Sequence, residues 1–310
     1  MANIHGFGDR DNNRNIFRNY RLSPSNGENN NNEMFLLGGN DNVKPREETF
    51  YHFIKNLICP RLTLNSFIFV ITIINLIAYI LTLIQGIQQI DDEMYFLSPK
   101  NSVINDYSLN PKKMKEEKLK NLYRWITNAL IHANFLHIFG NTISLLIFGS
   151  LTESFIKTKK IAIVYITSGL LGGLFSIICE RNAQSVGASI CVYGIFGAYF
   201  AFFIIKWVET DNMFGPMGKC CMFYFVFFYI IFNLFIELNN LGMNKINVYG
   251  HLGGLIFGFL VSVLLIKPDN EESSACCSYK IWWNTSLIFI SAFSVIGLVY
   301  FYVLMNLEEN

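Results

Sequence analysis

Residues 187–206 read GASICVYGIFGAYFAFFIIK, a stretch that carries no charge before Lys206. A helix of about 17 to 25 such residues, rising 1.5 Å per residue, crosses the ~30 Å hydrocarbon core of a bilayer. Seven apolar stretches of this kind occur along the chain, at approximately 65–88, 130–150, 161–179, 188–206, 221–237, 246–266 and 282–305. Backbone amides inside a bilayer must be satisfied within the segment, so each stretch is predicted to be a helix. The sequence therefore predicts an all-α polytopic membrane protein.

The composition of the 310-residue chain agrees with a membrane protein. Hydrophobic residues make up 52% of it and charged residues only 15%, against about 25% charged in soluble domains. Its 24 Lys and Arg nearly balance 23 Asp and Glu, so the chain lacks the large positive charge that attracts nucleic acid. The seven Cys follow no zinc-like or secreted-scaffold spacing. We predict no nucleic-acid partner, no disulfide framework and no structural zinc.

Residues 1–61 differ from the rest of the chain. They are polar and rich in Asn, without apolar periodicity, which is typical of a disordered tail. We therefore divide the chain into this tail and a membrane domain over 62–310. With the N-terminus in the cytosol, most Lys and Arg of the short loops face the cytosol, as the positive-inside rule prefers. The lysines at 112–120 in the long first loop are the exception. The prediction of a cytosolic N-terminus therefore rests on the charges of the remaining loops.

Polar side chains interrupt three of the apolar stretches, in the first half of each. They are His132, His137 and Asn141 in the second stretch, Ser189 and Tyr193 in the fourth, and His251 in the sixth. These three helices run in the same direction, so their polar groups lie at one depth, on the order of 10 Å below the membrane interface. An ionisable side chain in hydrocarbon is costly and marks a functional site by default.

The chemistry that suits these residue types is nucleophilic catalysis. A serine hydroxyl becomes a nucleophile when an imidazole within hydrogen-bond reach takes its proton, and Ser189 with His251 is the pair we choose. His137, Asn141 and the backbone N–H of Ser189 could stabilise the oxyanion. Because no Asp or Glu of these stretches lies near enough to orient the imidazole, the predicted machinery is a dyad.

Two further features support this pair. Tyr193 lies one helical turn after Ser189 and can hold an imidazole ring by stacking. The sixth helix carries Gly254 and Gly258 on the face of His251, and small residues let membrane helices approach closely. Close approach of the fourth and sixth helices would bring the serine to the histidine.

Other readings of the same residues stay open. A serine in a membrane helix often bonds to its own backbone, and glycine stripes often serve packing alone. His132, His137 and His251 are possible metal ligands, but no intramembrane carboxylate or Cys completes a site and HExxH is absent. A receptor or transporter would be expected to carry charges inside the membrane. Two cysteine pairs beside predicted cytosolic helix ends could be palmitoylated, namely Cys220–Cys221 and Cys276–Cys277.

Over roughly residues 60 to 305 the chain resembles the rhomboid intramembrane serine proteases. Three signatures carry the resemblance, namely His132-x4-His137-x3-Asn141, Gly187-x-Ser189 and His251-x2-Gly254-x3-Gly258. Each is modest alone, but together and in this order they are highly specific. The resemblance implies a rhomboid-like bundle of six transmembrane helices plus a seventh, C-terminal helix.

The resemblance also implies a role for each residue. These roles are nucleophile for Ser189, base for His251, oxyanion partners for His137 and Asn141, structural histidine for His132 and stacking partner for Tyr193. Glu153 matches an acidic residue that closes the family's second helix. The chain departs from the family pattern where Tyr123-Arg124 replaces Trp-Arg, and where Ile190 follows the serine in place of Gly. The bulk of Ile190 beside Ser189 is expected to affect substrate preference.

The implied activity is that of a serine endopeptidase that cuts single-span, type I membrane proteins within or near their transmembrane helix, without metal or cofactor. The helix count resembles that of the eukaryotic rhomboids that reside in the secretory pathway or plasma membrane. The Asn-, Ile- and Phe-rich composition resembles apicomplexan proteins, and in that branch rhomboids cleave surface adhesins. The alternative is a catalytically inactive rhomboid-like protein that binds membrane helices and controls their trafficking. Such relatives usually lack the Ser or the His, and both are present here.

Overall fold

A computed structural model describes residues 65–88, 96–181, 184–239, 247–268 and 279–306 of the chain. These residues belong to one compact unit, Thr49–Asn310. The predicted tail over 1–61 and the pair Cys276–Cys277 lie outside the described residues, so what the sequence indicates about them stays a prediction.

The described residues are almost entirely helical. The α-helices are α1 (Phe67–Gln85), α2 (Asn101–Tyr107), α3 (Pro111–Glu116), α4 (Arg124–Thr127), α5 (Phe135–Ser144), α6 (Ser150–Ile156), α7 (Thr158–Cys179), α8 (Ser189–Ile205), α9 (Trp207–Asn239), α10 (Val248–Leu265) and α11 (Tyr279–Val299). A π-helical turn, Leu145–Gly149, joins α5 to α6, and a second, Tyr300–Leu304, extends α11. The only extended pairing in the described ranges is two isolated bridges, Ile87 with Pro99 and Leu109 with Ser185.

Six of the described helical segments are long and apolar enough to cross a membrane. They are Phe67–Gln85, Phe135–Ile156, Thr158–Cys179, Trp207–Asn233, Val248–Leu265 and Tyr279–Leu304. Helix α8 is a shorter apolar helix of 17 residues and lies in the interior, with most of its side chains buried. The predicted all-α polytopic fold is confirmed, and the chain is an integral, multi-pass protein in contact with the bilayer.

Two predicted ranges differ from the observed helices. The stretch 130–150 begins as a helix only at Phe135, because the Asn134 side chain accepts the backbone N–H of His137 at 2.8 Å and caps the helix. His132 therefore lies in the loop before the helix. The stretch 221–237 belongs to a helix that begins at Trp207 and is broken at Gly215, whose φ is 70°.

The apolar pattern does not predict the early start of α9, because the first part of this helix carries charges. These charges are paired within the structure. The Lys219 ammonium lies 2.8 Å from the Asp211 carboxylate and 3.5 Å from the centroid of the Trp207 ring. Such pairing removes much of the cost of burying Lys219.

Helices α7, α8 and α10 pack through glycines. A Cβ on Gly254 would overlap the carbonyl oxygen of Ile190, and a Cβ on Gly258 would overlap that of Gly194. A Cβ on Gly172 of α7 would come within 2.7 Å of the Gly254 nitrogen. The three backbones therefore touch, as the glycine stripes predict, and the N-terminal turns of α8 and α10 lie side by side.

Glu153 joins the end of the second span to the start of the first. Its buried carboxylate accepts hydrogen bonds from Ser66 Oγ at 2.5 Å and from the backbone N–H groups of Phe67 and Ile68 at 2.9 and 3.2 Å. A carboxylate at a helix N-terminus satisfies free donors and complements the dipole. This capping contact gives a physical role to the acidic position that the resemblance singled out.

Arg124 organises the first loop from its interior. The buried guanidinium donates to Asn121 Oδ1 at 2.7 Å and to the carbonyl oxygens of Asn105 and Ser108 at 2.8 and 2.9 Å. The end of α11 packs onto this loop, where Trp125 Nε1 donates to Tyr302 Oη at 3.2 Å. The loop thus packs against the bundle on the side where α8 and α10 begin.

Candidate active site

Ser189 and His251 meet at the N-terminal turns of two neighbouring helices. Ser189 is the first residue of α8, and His251 lies in the first turn of α10. The Ser189 Oγ and His251 Nε2 atoms are 2.7 Å apart, within hydrogen-bond distance. His251 is 5% exposed, whereas Ser189 is half-buried. A neutral imidazole in this position can accept the hydroxyl proton as Ser189 attacks an electrophile.

The Tyr193 ring fixes the plane of the His251 imidazole. The two rings are stacked, with centroids 4.4 Å apart and an interplanar angle of 3°. Tyr193 follows Ser189 by one turn of α8, so a single helix carries both the hydroxyl and the surface on which the imidazole rests. The predicted stacking contact is present.

We expect Tyr193→Leu to lower the rate of substrate turnover about tenfold, because an aromatic pair contributes about 0.5–1.5 kcal/mol. Tyr193→Phe keeps the ring and is expected to retain most of the turnover. The measurement is kcat and KM of both variants for one reporter substrate, since a misoriented imidazole is expected to lower kcat more than it changes KM. Equal losses for Leu and Phe would assign the effect to the hydroxyl rather than to the stack.

His137 lies against the backbone that leads into Ser189. A Cβ on Gly187 would come within 2.6 Å of His137 Nε2, and Gly187 has a φ of 109°, which favours glycine. The backbone N–H of Ala133 donates to His137 Nδ1 at 3.5 Å, which leaves the ring proton on Nε2. A hydrogen-bond donor therefore lies beside the segment that precedes Ser189.

Asn141 lies one turn beyond His137 on α5 and is 7% exposed. Its amide nitrogen donates to the His137 carbonyl oxygen at 2.9 Å. An amide carries two hydrogens, so this local bond still leaves one donor for an oxyanion. The structure thus places Asn141 on the helix face predicted from its spacing to His137.

His132 holds the backbone immediately before Ser189. Its Nε2 accepts the backbone N–H of Ala188, the residue before Ser189, at 3.3 Å. His132 is fully buried and packs edge-on to the His137 ring at 5.1 Å. It precedes the second span, outside the membrane-spanning segments, and burial lowers the pKa of its imidazole well below the ordinary value. The neutral ring can therefore act as the acceptor that holds this backbone in position.

Two polar residues that sequence reasoning missed hold α10 in place. The side-chain oxygen of Asn247 accepts the Gly250 N–H at 2.7 Å and the Ser176 Oγ–H at 2.6 Å. The first contact caps the helix that carries His251, and the second ties it to α7. An Asn immediately before an apolar run is a known sign of a helix start, so Asn247 could have been found from the sequence. Ser176 had no such signal.

Ile190 does not add its bulk to the space beside Ser189 as expected. Its side chain is 2% exposed, and its Cγ2 atom lies against Gly172 and Gly254 in the interface of α7, α8 and α10. The absence of side chains at these two glycines makes room for the isoleucine. Ile190 therefore packs within the bundle.

Groups of three or more His, Cys, Asp or Glu close enough to hold a metal ion are absent from the described part of the chain. The predicted site residues instead assemble around one hydroxyl. Ser189, His251 and Tyr193 are in direct contact, and His132, His137 and Gly187 flank the backbone before Ser189. Asn141 joins the group through His137.

Comparison with known proteins points to one family. Residues 119–268 match the Rhomboid domain. RHOMBOID-like protein 1 of Arabidopsis thaliana is 29% identical over 57% of this chain and 48% of its own length. RHOMBOID-like protein 5 of the same plant is 30% identical over 47% of this chain and 45% of its own length. Rhomboid-like protease 1 of Toxoplasma gondii is 26% identical over 70% of this chain and 69% of its own length.

The fold and the comparisons together define a polytopic membrane protein of the rhomboid class. Residues 119–268 of the chain belong to the rhomboid family. The chain spans about half the length of the two plant relatives.

Proposed function

We propose that the chain is an intramembrane serine endopeptidase in which Ser189 is the nucleophile and His251 the general base. The observation that carries the proposal is the 2.7 Å hydrogen bond between Ser189 Oγ and His251 Nε2. The stacked Tyr193 ring supports it, because it holds the imidazole in an orientation suited to proton transfer. The relative from Toxoplasma gondii is named as a rhomboid-like protease, which points the same way.

In the proposed reaction, Ser189 Oγ attacks the scissile carbonyl carbon while its proton passes to His251 Nε2. The oxyanion that forms is stabilised by the His137 Nε2–H, the Asn141 amide and the backbone N–H of Ser189, which as the first helical residue has no intrahelical acceptor. His251 then gives the proton to the leaving amine, and an acyl-enzyme ester remains. Water, deprotonated by His251, hydrolyses this ester and releases the free carboxyl end.

The proposed substrates are single-span membrane proteins of type I orientation, including surface adhesins, cut within or near their transmembrane helix. A helical backbone shields its carbonyl carbons, so the bound segment must locally unwind. We expect Gly and other helix-weakening residues near the cut, because they lower the cost of leaving the helix. A cytosolic N-terminus and residence in the secretory pathway or plasma membrane complete the proposal.

The alternative is an inactive rhomboid-like protein that binds membrane helices and controls their trafficking. Such a protein has no need of a serine in hydrogen-bond contact with a stacked, buried histidine. The presence of both groups, at 2.7 Å, favours the enzyme.

Covalent labelling tests the proposal without knowledge of the substrate. We expect a fluorophosphonate probe to label the full-length protein in mild detergent and to leave Ser189→Ala unlabelled. The matched control is Ser154→Ala, which removes a hydroxyl that donates to the Leu151 carbonyl of its own helix. This control is expected to label like wild type. Equal labelling of Ser189→Ala, or no labelling of the wild type, would favour the inactive alternative.

A further inference from the structure

A cavity of about 370 Å³ lies between the end of α10 and the start of α11. It is lined by Leu264, Lys267, Tyr279, Lys280, Trp283 and Asn284. Helix α10 begins next to His251 and ends at Leu265, so the cavity lies at the opposite end of the bundle from the candidate active site. The catalytic proposal makes no use of any residue that lines it.

The walls of the cavity are held by contacts between the two helices. Tyr279 Oη donates to the Val263 carbonyl oxygen at 3.1 Å. The Trp282 and Phe259 rings pack with centroids 5.8 Å apart, and Ser286 is 1% exposed. Because both helices are fixed to each other here, the cavity is formed before any ligand binds, which lowers the ordering cost of binding.

The described surroundings of the cavity are basic. Lys267 and Lys280 line it, and Lys267 lies close enough to Lys160 for their charges to repel each other. Among the described acids at this end of the bundle, Glu209 pairs with Lys206 at 3.6 Å and Asp211 with Lys219 at 2.8 Å, while the Glu153 carboxylate accepts backbone hydrogen bonds at the start of α1. The connecting segment 269–278, which contains further acids, lies outside the described residues. An anionic ligand would therefore complement the positive charge around the cavity.

The apolar surface beside the cavity indicates which kind of anionic ligand fits it. Leu287 and Ile288 follow Trp283 and Asn284 by one helical turn and so continue the same face of α11. They are 40% and 68% exposed, and in a bilayer this face contacts acyl chains. The lining thus combines ammonium groups, an indole and a phenol with an apolar track that leads into the membrane. Trp and Tyr at this level are typical of the lipid headgroup region.

We propose that the cavity binds the phosphate group of an anionic membrane phospholipid. The Lys267 and Lys280 ammonium groups contact the phosphate, and the acyl chains lie along α10 and α11. Basic pockets between transmembrane helices on the cytoplasmic side are suited to such headgroups, and this is the end of the bundle that we expect to face the cytosol. The site does not depend on the proposed protease activity.

The test uses the full-length protein reconstituted in phosphatidylcholine vesicles that contain increasing fractions of phosphatidylserine with brominated acyl chains. Bromine quenches tryptophan fluorescence on contact, and the signal of Trp283 is obtained as the difference between wild type and Trp283→Phe. We expect brominated phosphatidylserine to quench Trp283 at a lower mole fraction than brominated phosphatidylcholine does. Lys267→Gln with Lys280→Gln is expected to raise the half-quenching fraction about tenfold or more, since each lysine contributes about fivefold.

The matched control is Lys112→Gln with Lys120→Gln, which removes the same charge from the first loop at the other end of the bundle and is expected to leave the quenching unchanged. Equal quenching by the two lipids, or an equal effect of the two double variants, overturns the proposal. Loss of quenching when inorganic phosphate is added at the same concentration as phosphatidylserine identifies a free phosphate site and overturns the assignment to a lipid. Retained quenching under that condition supports the lipid.

Discussion

Ser189→Ala is expected to lower the rate at which the protein cleaves a single-span reporter by about 10⁴-fold or more, because it removes the hydroxyl that lies 2.7 Å from His251 Nε2 and that is proposed to attack the carbonyl. Binding of the reporter should persist, since the change removes one oxygen atom from a half-buried side chain. The assay follows the amino- and carboxyl-terminal fragments of a type I reporter whose helix carries Gly near its outer end. Wild type and variant are compared at equal amounts of folded protein.

A double variant separates a catalytic pair from two independent structural residues. Groups that act as a unit are strongly non-additive, so Ser189→Ala combined with His251→Ala should cost little more than Ser189→Ala alone. Ser154→Ala serves again as the control with unchanged cleavage. Independent, multiplying losses from the two substitutions would contradict a shared proton transfer, and undiminished cleavage by Ser189→Ala would remove the proposed nucleophile.

Gly258→Ala is expected to destabilise the bundle by about 3 kcal/mol or more, because the added Cβ would overlap the carbonyl oxygen of Gly194, and overpacking typically costs about 1–3 kcal/mol and occasionally more. A backbone carbonyl inside a helix cannot move aside alone, so α10 must shift away from α8. That shift would also lengthen the contact between Ser189 and His251. We therefore expect both the thermal midpoint in detergent and the cleavage rate to fall.

Gly140→Ala is the matched control for this substitution. Gly140 lies in α5 with no atom within 4 Å of an added Cβ, so the change should leave cleavage intact. Alanine is a better helix former than glycine by about 1 kcal/mol, and the thermal midpoint is expected to stay or rise. Equal effects of the two substitutions would show that the glycine contacts of α8 and α10 are not what holds them together.

The membrane-spanning pattern was the part of the fold most open to prediction. Helices α1, α7, α8, α10 and α11 lie within or close to the charge-free stretches, because hydrocarbon selects against charge along the whole length of a span. Helix α9 extends beyond its predicted range because its first part contains charges, among them Asp211 and Lys219, that interrupt the apolar pattern. Their pairing across a turn at Gly215 is a tertiary contact, which hydropathy does not register.

The candidate site was predictable for a different reason. The spacing of His137 and Asn141 and the pairing of Ser189 with Tyr193 follow from the 3.6-residue period of a helix. The capping contact of Asn134, which places His132 in a loop, competes with the apolar pattern and was missed. The direction of the Ile190 side chain was also beyond prediction, because it depends on the space left by Gly172 and Gly254 on two other helices.

By itself the sequence determined the class of this protein, an all-α membrane protein whose apolar stretches are interrupted by a serine, histidines and an asparagine, because burial in hydrocarbon is costly for polar groups wherever they stand in the chain. Only the tertiary structure decided that Ser189 and His251, 62 positions apart, lie 2.7 Å from each other. That distance depends on the contact between the α8 and α10 backbones, which in turn requires the room left by Gly254 and Gly258. A linear pattern can permit such an approach, but only packing in three dimensions brings it about.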